Sequence, residues 1–188
     1  MPTAATADSR GGRRTRALAA GTSPKQSPRV LAIASGGGHW VQLLRLRPAF
    51  EGARVTYVST KAGYRAQLAE EARLAGRDAP RYYSVLDANR WQKARLVVQL
   101  AQVLLILLRE RPHVVVSTGA SLGFFALTIA KRLGRRTVWV DSIANAEEPS
   151  LSGRKVGRSA DLWLTQWPHL EGSVSVADKR IRYEGAVI

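Results

Sequence analysis

The sequence has 188 residues, enough for one domain with a sizeable core, and 45% hydrophobic against 23% charged residues is a globular composition. The absence of cysteine excludes disulfides, thiol catalysis and cysteine-ligated metals, and the three histidines lack the spacing of a histidine metal site, so we expect no metal and no cofactor. The net charge of +15 favours an anionic partner: nucleic acid, a lipid surface or a phosphorylated substrate.

Residues 1–28 are predicted to form a disordered basic tail. They are rich in small residues, proline and arginine, and they lack the apolar core of a signal peptide. The rest of the sequence contains no stretch of about 20 apolar residues, so we expect no conventional transmembrane helix. Neither a linker nor an internal repeat divides residues 29–188, which predicts a single domain.

From residue 29 onward, short apolar runs alternate with helical segments. The runs predict six strands: Val30–Ala34, Arg54–Ser59, Arg81–Leu86, His113–Ser117, Arg136–Asp141 and Asp161–Thr165. The segments between them predict helices, namely one through Leu43 and Leu46, then Ala62–Ala75, Trp91–Arg111 and Leu122–Leu133. Because apolar strands that alternate with helices are typical of parallel sheets, we predict an α/β, Rossmann-like fold with helices on both faces of the sheet.

Three segments follow predicted strands, at the edge where parallel α/β sheets bind ligands. The first is glycine-rich and opens a helix, so its N–H groups could approach a phosphate: Ser35, Gly36, Gly37, Gly38 and His39. The second carries hydroxyls that could bind a phosphate or a sugar: Ser117, Thr118, Gly119, Ala120 and Ser121. The third runs from Asp141 to Arg154 and is too long for a simple connection; its candidate binding residues are Ser142, Ser152 and Gly153.

The first segment does not match the known nucleotide-binding motifs. Val41 stands where the dinucleotide fingerprint requires its third glycine, and the second strand runs into Lys61 rather than an acidic residue. This disfavours NAD and leaves only Lys61 in favour of NADP, and the sequence has no Walker A loop. The segment could instead be a structural turn, and His39 a polar residue of a first helical turn.

The predicted helix Trp91–Arg111 contains 13 largely apolar positions, Leu96–Leu108. This run is too short to span a hydrocarbon core of about 30 Å. Basic residues flank it on both sides: Arg90, Lys93 and Arg95, then Arg109 and Arg111. Two interpretations remain open: a buried helix packed on the sheet, or a helix that packs on the sheet with one side and contacts lipid head groups with another.

Five motifs, taken in order, resemble one family: Ser35–His39, Val114–Ala120, Pro149–Arg154, Ala160–Trp167 and Tyr183–Gly185. The sequence from Arg29 to Ile188 resembles the membrane-associated subunit of the split UDP-N-acetylglucosamine transferase of oligosaccharide and exopolysaccharide biosynthesis. It is more distantly similar to the N-terminal half of the peptidoglycan N-acetylglucosamine transferase, which has the GT-B fold. The eukaryotic subunits carry an N-terminal membrane helix that this sequence does not show, and the position of Asp141 is commonly glutamate.

The resemblance implies an acceptor-binding, membrane-recruiting subunit of a heterodimeric glycosyltransferase. Such an enzyme transfers N-acetylglucosamine or a similar sugar from a UDP-sugar to a polyprenyl-diphosphate-linked saccharide. Because the sequence stops just after the Tyr183–Gly185 motif, we expect a catalytic partner chain to supply the C-terminal GT-B half, without which this chain is inactive. His39 would be the general base or a phosphate ligand. The expected location is peripheral, on the anionic cytoplasmic face of a membrane.

Two alternatives remain. The chain could be a non-catalytic scaffold for a catalytic partner, or a nucleotide- or nucleic-acid-binding Rossmann protein, as the charge and five tryptophans suggest. A nucleic-acid-binding face would interleave aromatic and basic residues, and the tryptophans are scattered instead. We therefore expect no nucleic-acid partner.

Overall fold

The computed structural model describes residues 27–88 and 91–187. Apart from Ser27 and Pro28, the predicted basic tail lies outside these residues. Arg90, one of the predicted basic flanks of the long helix, also lies outside them.

Among the residues that the structure describes, seven strands form one sheet at the centre of the domain. Its strands are β1 (Arg29–Ile33), β2 (Arg54–Ser59), β3 (Arg81–Ser84), β4 (Val114–Ser117), β5 (Arg136–Val140), β6 (Leu162–Thr165) and β9 (Arg182–Tyr183). All neighbouring strands are parallel, in the order β3-β2-β1-β4-β5-β6-β9. A small antiparallel hairpin, β7 (Ser175–Val176) and β8 (Lys179–Arg180), precedes the last strand. The strand order reverses between β1 and β4, and such a switch point opens a ligand-binding crevice at the carboxyl ends of the strands.

In the described part of the chain, five α-helices cover the sheet on both faces: α1 (Gly38–Arg45), α2 (Tyr64–Leu74), α3 (Lys93–Glu110), α4 (Ala120–Arg132) and α5 (Leu151–Val156). Helices α3, α4 and α5 contribute to one buried cluster around Trp139 and Trp163. Helices α1 and α2 contribute to a second cluster, in which Trp40 packs beside Tyr57 and Tyr82. Short 3-10 turns occupy Arg47–Phe50 and Pro168–Leu170. The predicted parallel α/β fold is confirmed.

Some element boundaries differ from the prediction. The third strand ends at Ser84, because the backbone of Leu86 bonds to the side chains of Gln99 and Gln102 instead of to a strand. Helix α4 begins at Ala120 rather than Leu122, so two residues of the predicted second loop form its first turn. Helix α5 was not predicted, since six residues are too few to show a helical period. It begins at a cap in which the Gly153 N–H donates to Ser150 Oγ at 2.9 Å.

A buried carboxylate ties the end of α3 to the sheet. Glu110 accepts hydrogen bonds from Thr56 Oγ1 at 3.1 Å, Tyr83 Oη at 2.7 Å and Arg81 at 3.1 Å. Burial alone would raise the pKa of Glu110, but these donors outweigh it and hold the pKa below its ordinary value. The ionised Glu110 carboxylate therefore raises the free energy of unfolding at pH values above its unfolded-state pKa. This contribution is lost as the pH falls through the folded-state pKa of Glu110.

Helix α3 has one buried face and one face exposed to solvent. Of the helices in the described part of the chain, none combines the length and the hydrophobicity that crossing a bilayer requires. On α3, nevertheless, five large apolar side chains are exposed to solvent: Val97, Val98, Leu104, Leu105 and Leu108. The buried face includes Gln99, Val103, Ile106 and Leu107. The structure therefore contradicts a fully buried helix, and α3 packs on the sheet with one side only.

Candidate functional site

The loops that follow β1 and β4 interlock at the switch point. His39 Nδ1 lies 2.9 Å from the carbonyl oxygen of Thr118, and Thr118 Oγ1 donates to the carbonyl oxygen of His39 at 2.6 Å. Gly119 lies against the imidazole with a φ of +141°, and a Cβ at this position would overlap His39 Nδ1 and Cε1. Only glycine fits both the backbone conformation and the close approach of the ring. The structure thus brings the predicted first and second loops together around His39.

The first loop, Ser35–His39, is also contacted by residues at and just before the start of α2. The Gly37 N–H donates to Tyr64 Oη at 3.1 Å, and the Tyr64 ring stacks on Trp40 with centroids 4.5 Å apart. The side chain of Lys61 lies over the loop, since a Cβ on Gly36 would be 2.9 Å from Lys61 Cγ. The N-terminus of α1, which begins at Gly38, and the Lys61 ammonium both make this loop electropositive.

The Ser117 and Thr118 hydroxyls of the second loop point inward rather than toward the crevice, whereas Ser121 is exposed. Ser117 is buried, its Oγ accepts from the Gly119 N–H at 3.3 Å, and it packs against Gly123. Thr118 is also buried, with its hydroxyl committed to His39. These two side chains hold the loop, and the part of this loop that lines the crevice is Ala120.

Asp141 organises the third loop. Its Oδ1 accepts from the Ser142 N–H at 3.1 Å and from Asn145 Nδ2 at 3.0 Å, and its Oδ2 accepts from the Ser150 N–H at 2.9 Å. A Cβ on Gly153 would lie 2.6 Å from Asp141 Oδ2, so this glycine permits the approach of the carboxylate to α5. The carboxylate is buried and fully engaged, which fits a structural role rather than proton transfer.

Two buried glutamines, which the sequence analysis missed, join this loop to the rest of the site. Gln42 Nε2 donates to Ser142 Oγ at 3.1 Å. Gln166 Nε2 donates to Gln42 Oε1 at 3.0 Å and to the carbonyl oxygen of Asp141 at 2.9 Å. Trp167 Nε1 donates to the carbonyl oxygen of Ile143 at 2.8 Å. The sequence signal was a glutamine on the buried face of α1 and another directly after a strand.

A cavity of about 420 Å³ lies between the three loops. Of the predicted site residues, those that line it are His39, Ala120, Ser142 and Ser152. The remaining ones, Ser35–Gly38, Ser117–Gly119 and Gly153, do not line the cavity. A larger open groove of about 870 Å³ lies near the start of β2 and β3 and contains none of the predicted residues. Within residues 27–88 and 91–187, no cluster of three or more histidine and acidic side chains could hold a metal ion.

Solved structures share this fold at low sequence identity. MurG of Acinetobacter baumannii superposes with a TM-score of 0.63 at 13% identity, over 82% of this chain and 45% of MurG. The UDP-N-acetylglucosamine 2-epimerase of Neisseria meningitidis superposes with a TM-score of 0.60 at 12% identity, over 85% of this chain and 47% of the epimerase. The chain therefore spans about half the length of each, and the likeness shows the fold alone.

Sequence comparison identifies the family. No protein-family model matches the chain. The UDP-N-acetylglucosamine transferase subunit ALG14 of Eremothecium gossypii is 30% identical, over 85% of this chain and 80% of the relative, and that of Mus musculus is 26% identical over 79% and 80%. These matches confirm the resemblance carried by the five sequence motifs: the chain belongs to the family of the UDP-N-acetylglucosamine transferase subunit ALG14.

Proposed function

We propose that this chain is the acceptor-binding subunit of a two-chain glycosyltransferase. The main support is the position of His39, which lines the cavity at the switch point and is held there by the loop after β4. The requirement for a second chain is supported by the relatives, which are named subunits and of which this chain covers about 80%. The enzyme would transfer N-acetylglucosamine or a similar sugar to a polyprenyl-diphosphate-linked saccharide.

Each part of the crevice has a role in this proposal. The acceptor diphosphate would lie against the start of α1, where the Gly38 and His39 N–H groups and Lys61 supply positive charge. His39 Nε2 would take the proton of the acceptor hydroxyl, whose oxygen forms a bond to the sugar. The bond between the sugar and UDP would break with its electron pair on the diphosphate, which the partner chain would hold.

The full chain alone is expected to bind the acceptor but not the donor. In calorimetric titrations with a water-soluble short-prenyl diphosphate saccharide, Lys61→Ala should weaken binding about fivefold, since an exposed charge-assisted contact is worth on the order of 1 kcal/mol. Arg136→Ala removes an exposed charge from the opposite edge of the sheet and should change affinity little. An equal loss in both variants, or tighter binding of UDP-N-acetylglucosamine than of the acceptor, contradicts the proposal.

The alternatives are less well supported. Membership of a transferase-subunit family does not favour a nucleotide- or nucleic-acid-binding Rossmann protein. A scaffold without chemistry would have no need of an imidazole held at the cavity wall by a hydrogen bond to the Thr118 carbonyl, with the His39 backbone held by the Thr118 hydroxyl. The positive charge instead suits the phosphates of the acceptor and of a lipid surface.

We further propose that α3 contacts an anionic membrane, at the cytoplasmic face where such acceptors would be elongated. The exposed apolar positions form one stripe, spaced as i, i+1, i+7, i+8 and i+11: Val97, Val98, Leu104, Leu105 and Leu108. Exposed basic residues stand at both ends of this stripe, Lys93 and Arg95 at one end and Arg109 and Arg111 at the other. An apolar stripe between cations is the pattern of a helix that lies in the head-group region.

The double variant Leu105→Glu, Leu108→Glu is expected to abolish vesicle binding. Co-sedimentation with anionic vesicles should fall on the order of a hundredfold, since each buried leucine contributes about 1.5 kcal/mol or more. The matched control is Leu74→Glu on α2, because Leu74 is 72% exposed and Leu105 is 66% exposed. Wild-type protein should pellet less on neutral vesicles. Unfolding of the double variant, or an equal loss with Leu74→Glu, would remove α3 as the lipid contact.

A further inference from the structure

The backbone of the loop after β4 determines which nitrogen of His39 carries the proton. A carbonyl oxygen can only accept a hydrogen bond, so the 2.9 Å contact between His39 Nδ1 and the Thr118 carbonyl requires a proton on Nδ1. In a neutral imidazole the other nitrogen then carries the lone pair. We propose that Thr118 and Gly119 fix His39 in the Nδ1–H tautomer, so that Nε2 is the proton-accepting atom of this site.

The surroundings of the ring support this assignment. Among the residues that the structure describes, Nε2 has no hydrogen-bond partner, and His39 is a lining residue of the cavity. The reciprocal bond from Thr118 Oγ1 to the His39 carbonyl, together with the face of Gly119, restricts movement of the ring. Thr118 and Gly119 are therefore positioning residues, which act on the acceptor through His39.

The consequence for chemistry rests on the proposed function. When the proton of an acceptor hydroxyl moves to Nε2, the imidazole becomes a cation that keeps its Nδ1–H bond to the Thr118 carbonyl. That bond becomes charge-assisted and strengthens as the proton arrives. The hydroxyl oxygen bonds to the sugar, and the bond from the sugar to UDP breaks with its electron pair on the departing diphosphate. The tautomer itself can be measured without any turnover.

The other two histidines provide internal controls with the opposite tautomer. The Arg29 N–H donates to His113 Nδ1 at 3.1 Å, so His113 Nδ1 must be unprotonated when the ring is neutral. His169 Nε2 lies 2.7 Å from the Ala146 carbonyl oxygen, so His169 must carry its proton on Nε2. The three rings of this chain should therefore divide into one Nδ1–H and two Nε2–H tautomers.

The test is a long-range ¹H–¹⁵N correlation spectrum of the full chain with ¹⁵N-labelled histidine, recorded at alkaline pH, where imidazole is neutral. His113→Gln and His169→Gln variants assign the signals. We expect a protonated Nδ1 and an unprotonated Nε2 for His39, and the reverse for the other two rings. An Nε2–H tautomer or an even mixture at His39 overturns the inference, while leaving the acceptor-binding proposal intact.

A glycine pair tests the positioning role. Gly119→Ala should displace the ring, mix the tautomers and lower transfer by the partnered chain about a hundredfold, as a misplacement of roughly 1 Å can. Gly134→Ala also adds a Cβ at a positive φ, +70°, with no atom within 4 Å of it, and should leave the His39 spectrum unchanged. A folded Gly119→Ala protein with the wild-type His39 spectrum overturns the positioning role, and the wild-type spectrum decides the tautomer even if this variant fails to fold.

Discussion

His39→Ala is expected to lower turnover of the partnered enzyme by about 10²–10⁴-fold, the usual contribution of a general base. The loss should appear in kcat at saturating acceptor, because in the proposed mechanism Nε2 accepts the hydroxyl proton in the transition state rather than in the bound ground state. The ring contributes little to the core, since His39 is half-buried and its anchoring bonds lie at the cavity edge. Initial rates over a range of acceptor concentrations separate an effect on kcat from an effect on the KM for the acceptor.

Two controls accompany this variant. His113→Ala removes a histidine that lies just before β4, away from the cavity, and should retain near-normal kcat. Thermal unfolding and capture of the partner chain should be the same for both variants. Near-normal turnover of His39→Ala at saturating acceptor would assign the first loop to binding alone and remove the base from the proposal.

Much of the fold could be predicted because its strands are continuous apolar runs that alternate with helices. The residues of β4, Val114–Ser117, read as a strand from sequence alone, and its parallel pairing with β1 brings Thr118 to His39 across 79 positions. The shared edge of the sheet thus assembled the first and second loops, as the pattern indicated. The same logic could not detect α5, whose six residues are fixed by Asp141 and the Ser150 cap rather than by a hydrophobic period.

The orientation of individual side chains could be predicted from the sequence less well than the fold. Helix α3 buries Gln99, which is 1% exposed, and leaves Leu105 outside. An amphipathic pattern would suggest the reverse, but the Gln99 amide donates to the Leu86 carbonyl at 2.6 Å, so a polar residue satisfies the backbone of the preceding loop. Likewise the hydroxyls of Ser117 and Thr118 were expected at the ligand, and they bond within the protein because their loop must hold a histidine.

As one half of the proposed two-chain transferase, this chain needs a second chain for chemistry. The second chain is obtained by co-purification with the tagged full chain from its native cells. The decisive measurement is transfer of labelled sugar from UDP-N-acetylglucosamine to a polyprenyl-diphosphate-linked saccharide by the full chain alone, by the co-purified partner alone, and by both together. We expect transfer only when both chains are present. Comparable turnover by this chain without the partner would contradict it.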